Sequence, residues 1–312
     1  MCYDKDEIMF RSATIEISNI CNARCRWCST GVRNRKGEVT GPHFMSNDSF
    51  RCGIEYMLEN DIIGTDTELE LYNWGEPLLN PELDSILETI DQYGFSFHIS
   101  TNASDISNFS GKHLANMSLF MISISGFSQD TYGRIHGFDF VKILHNIDQI
   151  ARILKEQNKL NVLQVNMHMY NFNLHEYEPA RVYFKSKGIP FVPRLAYFND
   201  YWQFQDYLLS TGPDEQRSEM KEQIITSLID EFAQKAPKDY ICPQNRKIVL
   251  DDNWQVVPCC RLTANEQLGN LFELSREEIE KRKKACKYCP SCIESGQSYI
   301  VHRPMKFRME LY

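Results

Sequence analysis

The sequence predicts an α/β fold: a partial (β/α)6 barrel of parallel strands, followed by a small cysteine-rich C-terminal extension with a β-hairpin. Three observations carry this reading. Short β-rich runs alternate with helix-length amphipathic stretches between residues 13 and 198, the order that parallel βαβ units require. The pattern then changes to a polar stretch with spaced apolar residues. Finally, nine of the eleven cysteines fall in two groups at opposite ends of the chain.

Taken in order, "ATIEIS" (Ala13 to Ser18) reads as the first strand and leads into the first cysteines. Phe50 to Asn60 has helical spacing, and "ELELYNW" (Glu68 to Trp74) is the second strand. Glu82 to Tyr93 is helical, "FSFHIST" (Phe95 to Thr101) is the third strand, and "LFMISIS" (Leu119 to Ser125) is the fourth. A helix over Val141 to Glu156 precedes the strand "NVLQVNMHMY" (Asn161 to Tyr170). A helix over His175 to Lys187 precedes "PFVPRLAYF" (Pro190 to Phe198). On the fifth strand Gln164, Asn166 and His168 alternate and so share a face. These elements place a barrel domain at 1–200, a helical linker at 201–238 and the extension at 239–312, where "VLDDNWQVVPCC" reads as a hairpin around Asp251-Asp252-Asn253.

Composition narrows the function. Hydrophobic residues make up 42% of 312, enough for a sizeable core. The formal charge of −8 disfavours nucleic acid as the main partner. No run of about 18 apolar residues exists to span a membrane. The acidic start "MCYDKDEIMF" lacks the order of a secretory signal, so a cytoplasmic location is expected. In a reducing compartment disulfides are improbable, and clustered thiols point to metal. Cys2 and Cys52 stand alone and read as ordinary residues. Cys21, Cys25 and Cys28 form one group, and Cys242, Cys259, Cys260, Cys286, Cys289 and Cys292 form the other. The first group follows the first strand, on the face where active sites of parallel sheets lie.

Three thiolates can hold three irons of a cubane [4Fe–4S] cluster and leave the fourth open, whereas structural zinc takes four ligands. Cys21-x3-Cys25-x2-Cys28, with Trp27 just before the last cysteine, resembles the signature of the radical S-adenosylmethionine (SAM) enzymes. The resemblance implies that the open iron chelates SAM, and that an electron from the cluster yields a 5′-deoxyadenosyl radical. Asn73-Trp74-Gly75-Glu76-Pro77 is similar to the family's Gly-Gly-Glu-Pro turn, with Trp for the first Gly. That similarity assigns Asn73, Gly75 and Glu76 to the methionine end of SAM. It further implies roles near the cofactor for Thr101 and Asn102 in "STNA", for Ser123 and Ser125 in "SISG", and for Arg134 as a carboxylate partner.

The second cysteine group resembles the SPASM and Twitch extensions of the same superfamily, which hold auxiliary [4Fe–4S] clusters. Its thiol count implies one such cluster, with ligands drawn from Cys242, Cys259, Cys286, Cys289 and Cys292. Spacing alone does not choose between the two C-x2-C pairs, and zinc is the alternative occupant. Cys260 is left spare, as a buried thiol or a candidate hydrogen-atom donor. The resemblance also implies an electron donor such as flavodoxin or ferredoxin.

Three functions follow as expectations. The first is radical oxidation of a small polyhydroxylated molecule, a sugar or amino-cyclitol. The second is maturation of a ribosomally made peptide by epimerisation, crosslinking or oxidation. Against it stands the position of Cys21, which leaves no room ahead of the motif for a peptide-binding domain of the usual size. The third is a non-enzymatic iron–sulfur or zinc scaffold, disfavoured by the cofactor turn around Glu76.

Overall fold

A computed structural model describes residues 10–38, 41–262 and 266–302; Cys2 and the last ten residues of the expected extension lie outside them. Six strands with intervening helices form the expected barrel region. They are β1 (Ser12–Ile15), β2 (Glu68–Glu70), β3 (Phe97–Thr101), β4 (Met117–Ile124), β5 (Leu163–Met169) and β6 (Phe191–Leu195). All pair in parallel with their sequence neighbours. Between them lie α1 (Ser29–Lys36), α2 (Asn47–Glu59), α3 (Leu83–Tyr93), α4 (Gln129–Ile135), α5 (Phe140–Glu156) and α6 (Tyr177–Ser186).

Caps fix where these helices begin. Ser46, Ser128 and Asp139 accept backbone N–H groups at the starts of α2, α4 and α5. Helix α3 ends at Gly94, whose φ of 76° is the left-handed conformation that closes a helix cheaply in glycine. On α5 the fully buried Ile143, Ile147, Ile150 and Leu154 recur at helical spacing and cover the sheet. Each such side chain contributes roughly 1.5–3 kcal/mol by leaving water. The opposite face of the sheet is polar. Thr14 Oγ1 donates to Glu70 Oε2 (2.6 Å), Lys247 donates to Glu70 Oε1, and Gln164 Nε2 donates to Asn166 Oδ1 (2.7 Å).

Between residues 201 and 238 lie three helices, α7 (Tyr201–Leu208), α8 (Asp214–Gln223) and α9 (Thr226–Gln234). Their few apolar residues are not a surface feature: Phe204, Met220, Ile224 and Ile229 enter the main core. The hairpin is present as β7 (Lys247–Leu250) and β8 (Gln255–Val257), with β9 (Gly269–Asn270) added beyond it. β7 pairs in parallel with β1, setting Ser12 to Ile15 opposite Lys247 to Leu250. One sheet therefore runs in the order β6-β5-β4-β3-β2-β1-β7-β8-β9 and stays open at both edges. Trp254 in the hairpin turn lies flush on α2, since a Cβ on Gly53 would meet its ring at 2.1 Å, and its Nε1 donates to Ser49 Oγ (2.9 Å). The described residues end with α10 (Arg276–Lys284), α11 (Cys289–Glu294) and α12 (Gln297–His302). No helix among the described residues is long and apolar enough to cross a membrane.

Candidate active site

Cys21, Cys25 and Cys28 lie on the loop that leaves the carboxyl end of β1, and Cys28 caps α1. Helix α1 reaches back to shape this loop. Asn34 Nδ2 donates to the carbonyls of Cys21 (2.6 Å) and Ala23 (2.7 Å), and Arg35 Nε donates to that of Arg24. Gly31 permits the close approach, because a Cβ there would meet the Cys25 carbonyl oxygen at 2.1 Å. Burial pushes all three thiols up from their ordinary value, and repulsion from neighbouring thiolates adds to it at Cys21 and Cys25. Thiolates here thus require a positive partner. Among the described residues no three His, Cys, Asp or Glu side chains converge on a single-ion site. A lone zinc with Zn–S of about 2.3 Å needs sulfurs on the order of 4 Å apart. Thiolates on separate irons of a cluster need not converge on one point, and three thiols on one loop would leave a fourth iron open.

The turn after β2 is held from beneath by Glu16, a residue that the sequence alone did not single out. Glu16 is 4% exposed, and its carboxylate accepts the backbone N–H groups of Asn73 (3.3 Å), Trp74 and Gly75 (3.1 Å). Burial still pushes it up to about 8, against the pull of those donors. Glu76 is also buried. It accepts from Thr101 Oγ1 (2.6 Å), Asn102 N (2.8 Å) and Leu78 N (3.2 Å), and burial raises it to about 7. Three of about four acceptor positions on this carboxylate are occupied, leaving one for a ligand. Thr101 and Asn102 therefore meet the turn, and Asn102 Nδ2 also reaches Cys21 Sγ (3.5 Å).

Glu16 carries a pH prediction. A carboxyl raised above its unfolded value adds stability below about pH 4.5, and that contribution is lost as pH rises through about 8. The stability difference between the wild type and Glu16→Gln in urea unfolding should therefore shrink by roughly 1.4 kcal/mol per pH unit across that window. A difference independent of pH would show that Glu16 is ionised throughout.

A cavity of about 480 Å³ opens at the carboxyl ends of the strands. Cys25, Trp27, Cys28, Asn73 and Ser123 line it, while Cys21 lines an adjoining cleft with Asn22 and Asn34. Trp27 packs edge-on against Phe198 (5.4 Å), and its Nε1 is a buried donor with no partner in the structure. An orphaned donor on this wall suits a bound cofactor. His136 and His168 also line the cavity, and burial lowers them to about 3 and about 4, so both are neutral imidazoles. Ser125 is fully buried and bonds His136 Nδ1 (2.7 Å) instead of lining the cavity. Arg134 lies on the outer surface. It pairs with Asp130 (2.7 Å), rests over the Phe172 ring and lines a shallow cleft with Arg24 and Arg35.

A second cavity, of about 290 Å³, is lined by Cys242, Cys259, Cys289 and Cys292, with Cys286 packed beside them. Cys286 is drawn down to about 6, chiefly by a hydrogen bond with the Cys289 thiol, which that bond and burial push up. Two buried cations share this wall. Arg261 donates to Phe198 O and to Asn199 Oδ1 (3.2 Å), with Nε unpartnered, and Lys283 donates to Pro258 O. Neither has a carboxylate partner among the described residues. Buried cations without acids match a thiolate-bound, negatively charged group. Cys260 is placed apart from this cavity. It lies close to Tyr72 and Tyr197 of the barrel cavity, and its carbonyl faces the Asn73 side-chain amide at 3.2 Å. Burial pushes its thiol up to about 12. Sequence reasoning also missed Arg194, Tyr72 and Arg261; the strand alternation that singled out Asn166 and His168 applies equally to Arg194 and Tyr72.

No protein-family model matches the chain, and no curated protein matches it by sequence. Solved structures do. Streptococcus suis SuiB bound to precursor peptide SuiA aligns with a TM-score of 0.60 at 12% identity, over 86% of this chain and 64% of SuiB, so the chain spans less than two thirds of SuiB. Native anSMEcpe with bound AdoMet (S-adenosylmethionine) aligns with a TM-score of 0.56 at 15% identity, over 92% of this chain and 95% of anSMEcpe. BtrN in complex with AdoMet and 2-DOIA aligns with a TM-score of 0.50 at 15% identity, over 92% and 88%. At these identities the likeness concerns the fold, and the fold is the partial barrel of the radical SAM enzymes.

Proposed function

We propose that this chain is a radical SAM enzyme with one auxiliary [4Fe–4S] cluster, acting on a small polyhydroxylated substrate. One observation carries the reading: two separate sets of half-buried thiols, one opening on the barrel cavity beside Trp27, the other around its own cavity with Arg261 and Lys283. Cys21, Cys25 and Cys28 would hold the radical cluster, and Cys242, Cys259, Cys289 and Cys292 the auxiliary one. When bound, cluster and cofactor supply a 5′-deoxyadenosyl radical able to take hydrogen from carbon.

The chain's own residues do the rest. The Glu16-braced turn from Asn73 to Glu76 receives the methionine end of the cofactor, and Trp27 Nε1 offers it a donor. Ser123, His136 and His168 give uncharged polar contacts on the cavity wall. The cluster held by Cys21, Cys25 and Cys28 would take its electron from a donor such as flavodoxin or ferredoxin. SuiB is bound to a precursor peptide on this fold, so maturation of a peptide is the second reading.

Anaerobically reconstituted protein is expected to bind about eight irons per chain, two cubanes of four. Iron near four with one zinc would remove the auxiliary cluster. Iron near eight without 5′-deoxyadenosine from SAM and dithionite would leave a cluster scaffold in place of an enzyme.

A further inference from the structure

The barrel cavity has an unbalanced charge. Arg194 on β6 lines it, in register with His168 of β5. No Asp or Glu among the described residues lines this cavity, and none pairs with Arg194. The acids of the barrel interior are engaged elsewhere. Glu70 holds Thr14 and Lys247, Glu16 and Glu76 hold backbone donors, and Glu68 accepts from Ser118 Oγ (2.7 Å). The imidazoles nearest the guanidinium bring no negative charge. Cys25 and Cys28 line the same cavity and their thiolates would bring negative charge, but the planar fork of a guanidinium is matched bidentately by an oxyanion and not by sulfur. Next to it on the same wall, Asn166 Nδ2 rests on the sulfur of Met121, a weak acceptor that a better one can displace.

We propose that the substrate carries an anionic group, a carboxylate or phosphate, which Arg194 receives at the β5–β6 wall with Asn166 beside it. This rests on the enzyme reading above and sharpens its substrate class: a sugar acid or sugar phosphate fits this wall, and a cationic amino-cyclitol does not. The cofactor's own carboxylate is the other anion in such a site. The turn assigned to its methionine end follows β2, four strands from β6 in the sheet, roughly 19 Å along the arc at about 4.8 Å per strand. Asn73 and Arg194 nevertheless line one cavity, so SAM affinity in an Arg194 variant is the readout that separates the two anions.

The test is calorimetry on the cluster-loaded protein with SAM bound, using methyl glucuronide, methyl glucoside and inorganic phosphate as probes. The glucuronide is expected to bind at least about tenfold more tightly than the glucoside, which lacks the carboxylate. Arg194→Met should erase that preference and the phosphate binding while leaving SAM affinity unchanged, and Arg194→Lys should restore part of it. Absence of binding by both anions to the wild type overturns the proposal. So does a loss of SAM affinity in Arg194→Met, which would give the guanidinium to the cofactor. None of these readouts needs turnover. Anion binding at Arg194 in a protein that does not cleave SAM would sink the enzyme reading and leave the anion site standing.

Discussion

With Cys21, Cys25 and Cys28 all replaced by Ala, the protein is expected to make no 5′-deoxyadenosine from SAM and dithionite while still binding about four irons per chain. The expectation rests on the separation of the two thiol sets. Cys25 and Cys28 line the barrel cavity, and the four candidate auxiliary ligands line a different one. Little else depends on the three side chains. Cys21 Sγ accepts weakly from Ala23 N (3.4 Å) and Asn102 Nδ2 (3.5 Å), and the loop is shaped mainly by Asn34, Arg35 and Gly31, which stay. Loss of activity therefore reports loss of the radical site rather than unfolding. Iron content and product mass spectrometry together decide it. Residual 5′-deoxyadenosine would place the radical site elsewhere, and loss of all iron would mean that the two sites assemble as one.

Much of this was legible in the sequence because it is local. Alternating apolar runs gave the parallel strands within a few residues, and the spacing of the first three cysteines is carried on one short loop. What the sequence hid depends on distant partners. β7 is a short apolar run whose place beside β1 is decided by pairing across more than two hundred residues, so the hairpin read as a separate extension. The sparse apolar residues of α7 to α9 read as a polar linker because each helix buries only a narrow stripe. Arg134 and Arg194 are both isolated basic residues in sequence. Their difference lies in which face they occupy: Arg134 is on a helix beside Asp130, and Arg194 is on a strand whose alternate positions face the cavity. Glu16 was hidden because a carboxylate at the end of β1 acquires its role only from the three N–H groups brought to it by another loop.

Gly75→Ala should be as disruptive as any single methyl addition in this chain. A Cβ at residue 75 would meet the Ser18 carbonyl oxygen at 1.7 Å and the Ile20 carbonyl oxygen at 3.0 Å. Both are backbone atoms of the segment joining β1 to Cys21, and neither can rotate away as a side-chain end could. The segment is also pinned, since Glu76 N donates to Ile20 O (2.7 Å) and Ser18 Oγ donates to the same oxygen (3.1 Å). To admit the methyl, the turn must lift from Glu16 and give up its three backbone hydrogen bonds, leaving a buried carboxylate short of donors. A cost of about 3 kcal/mol or more is expected, a fall in melting temperature on the order of 6–12 °C for a chain of this size. Because the displaced segment leads into the cluster loop, SAM binding should fall with it while the second cavity keeps its iron. Gly41→Ala is the control: nothing lies within 4 Å of a Cβ there, and its melting curve and iron content should match the wild type. If Gly75→Ala melted with the control and bound SAM as tightly, the close approach of this turn to β1 would not be what holds the site in place.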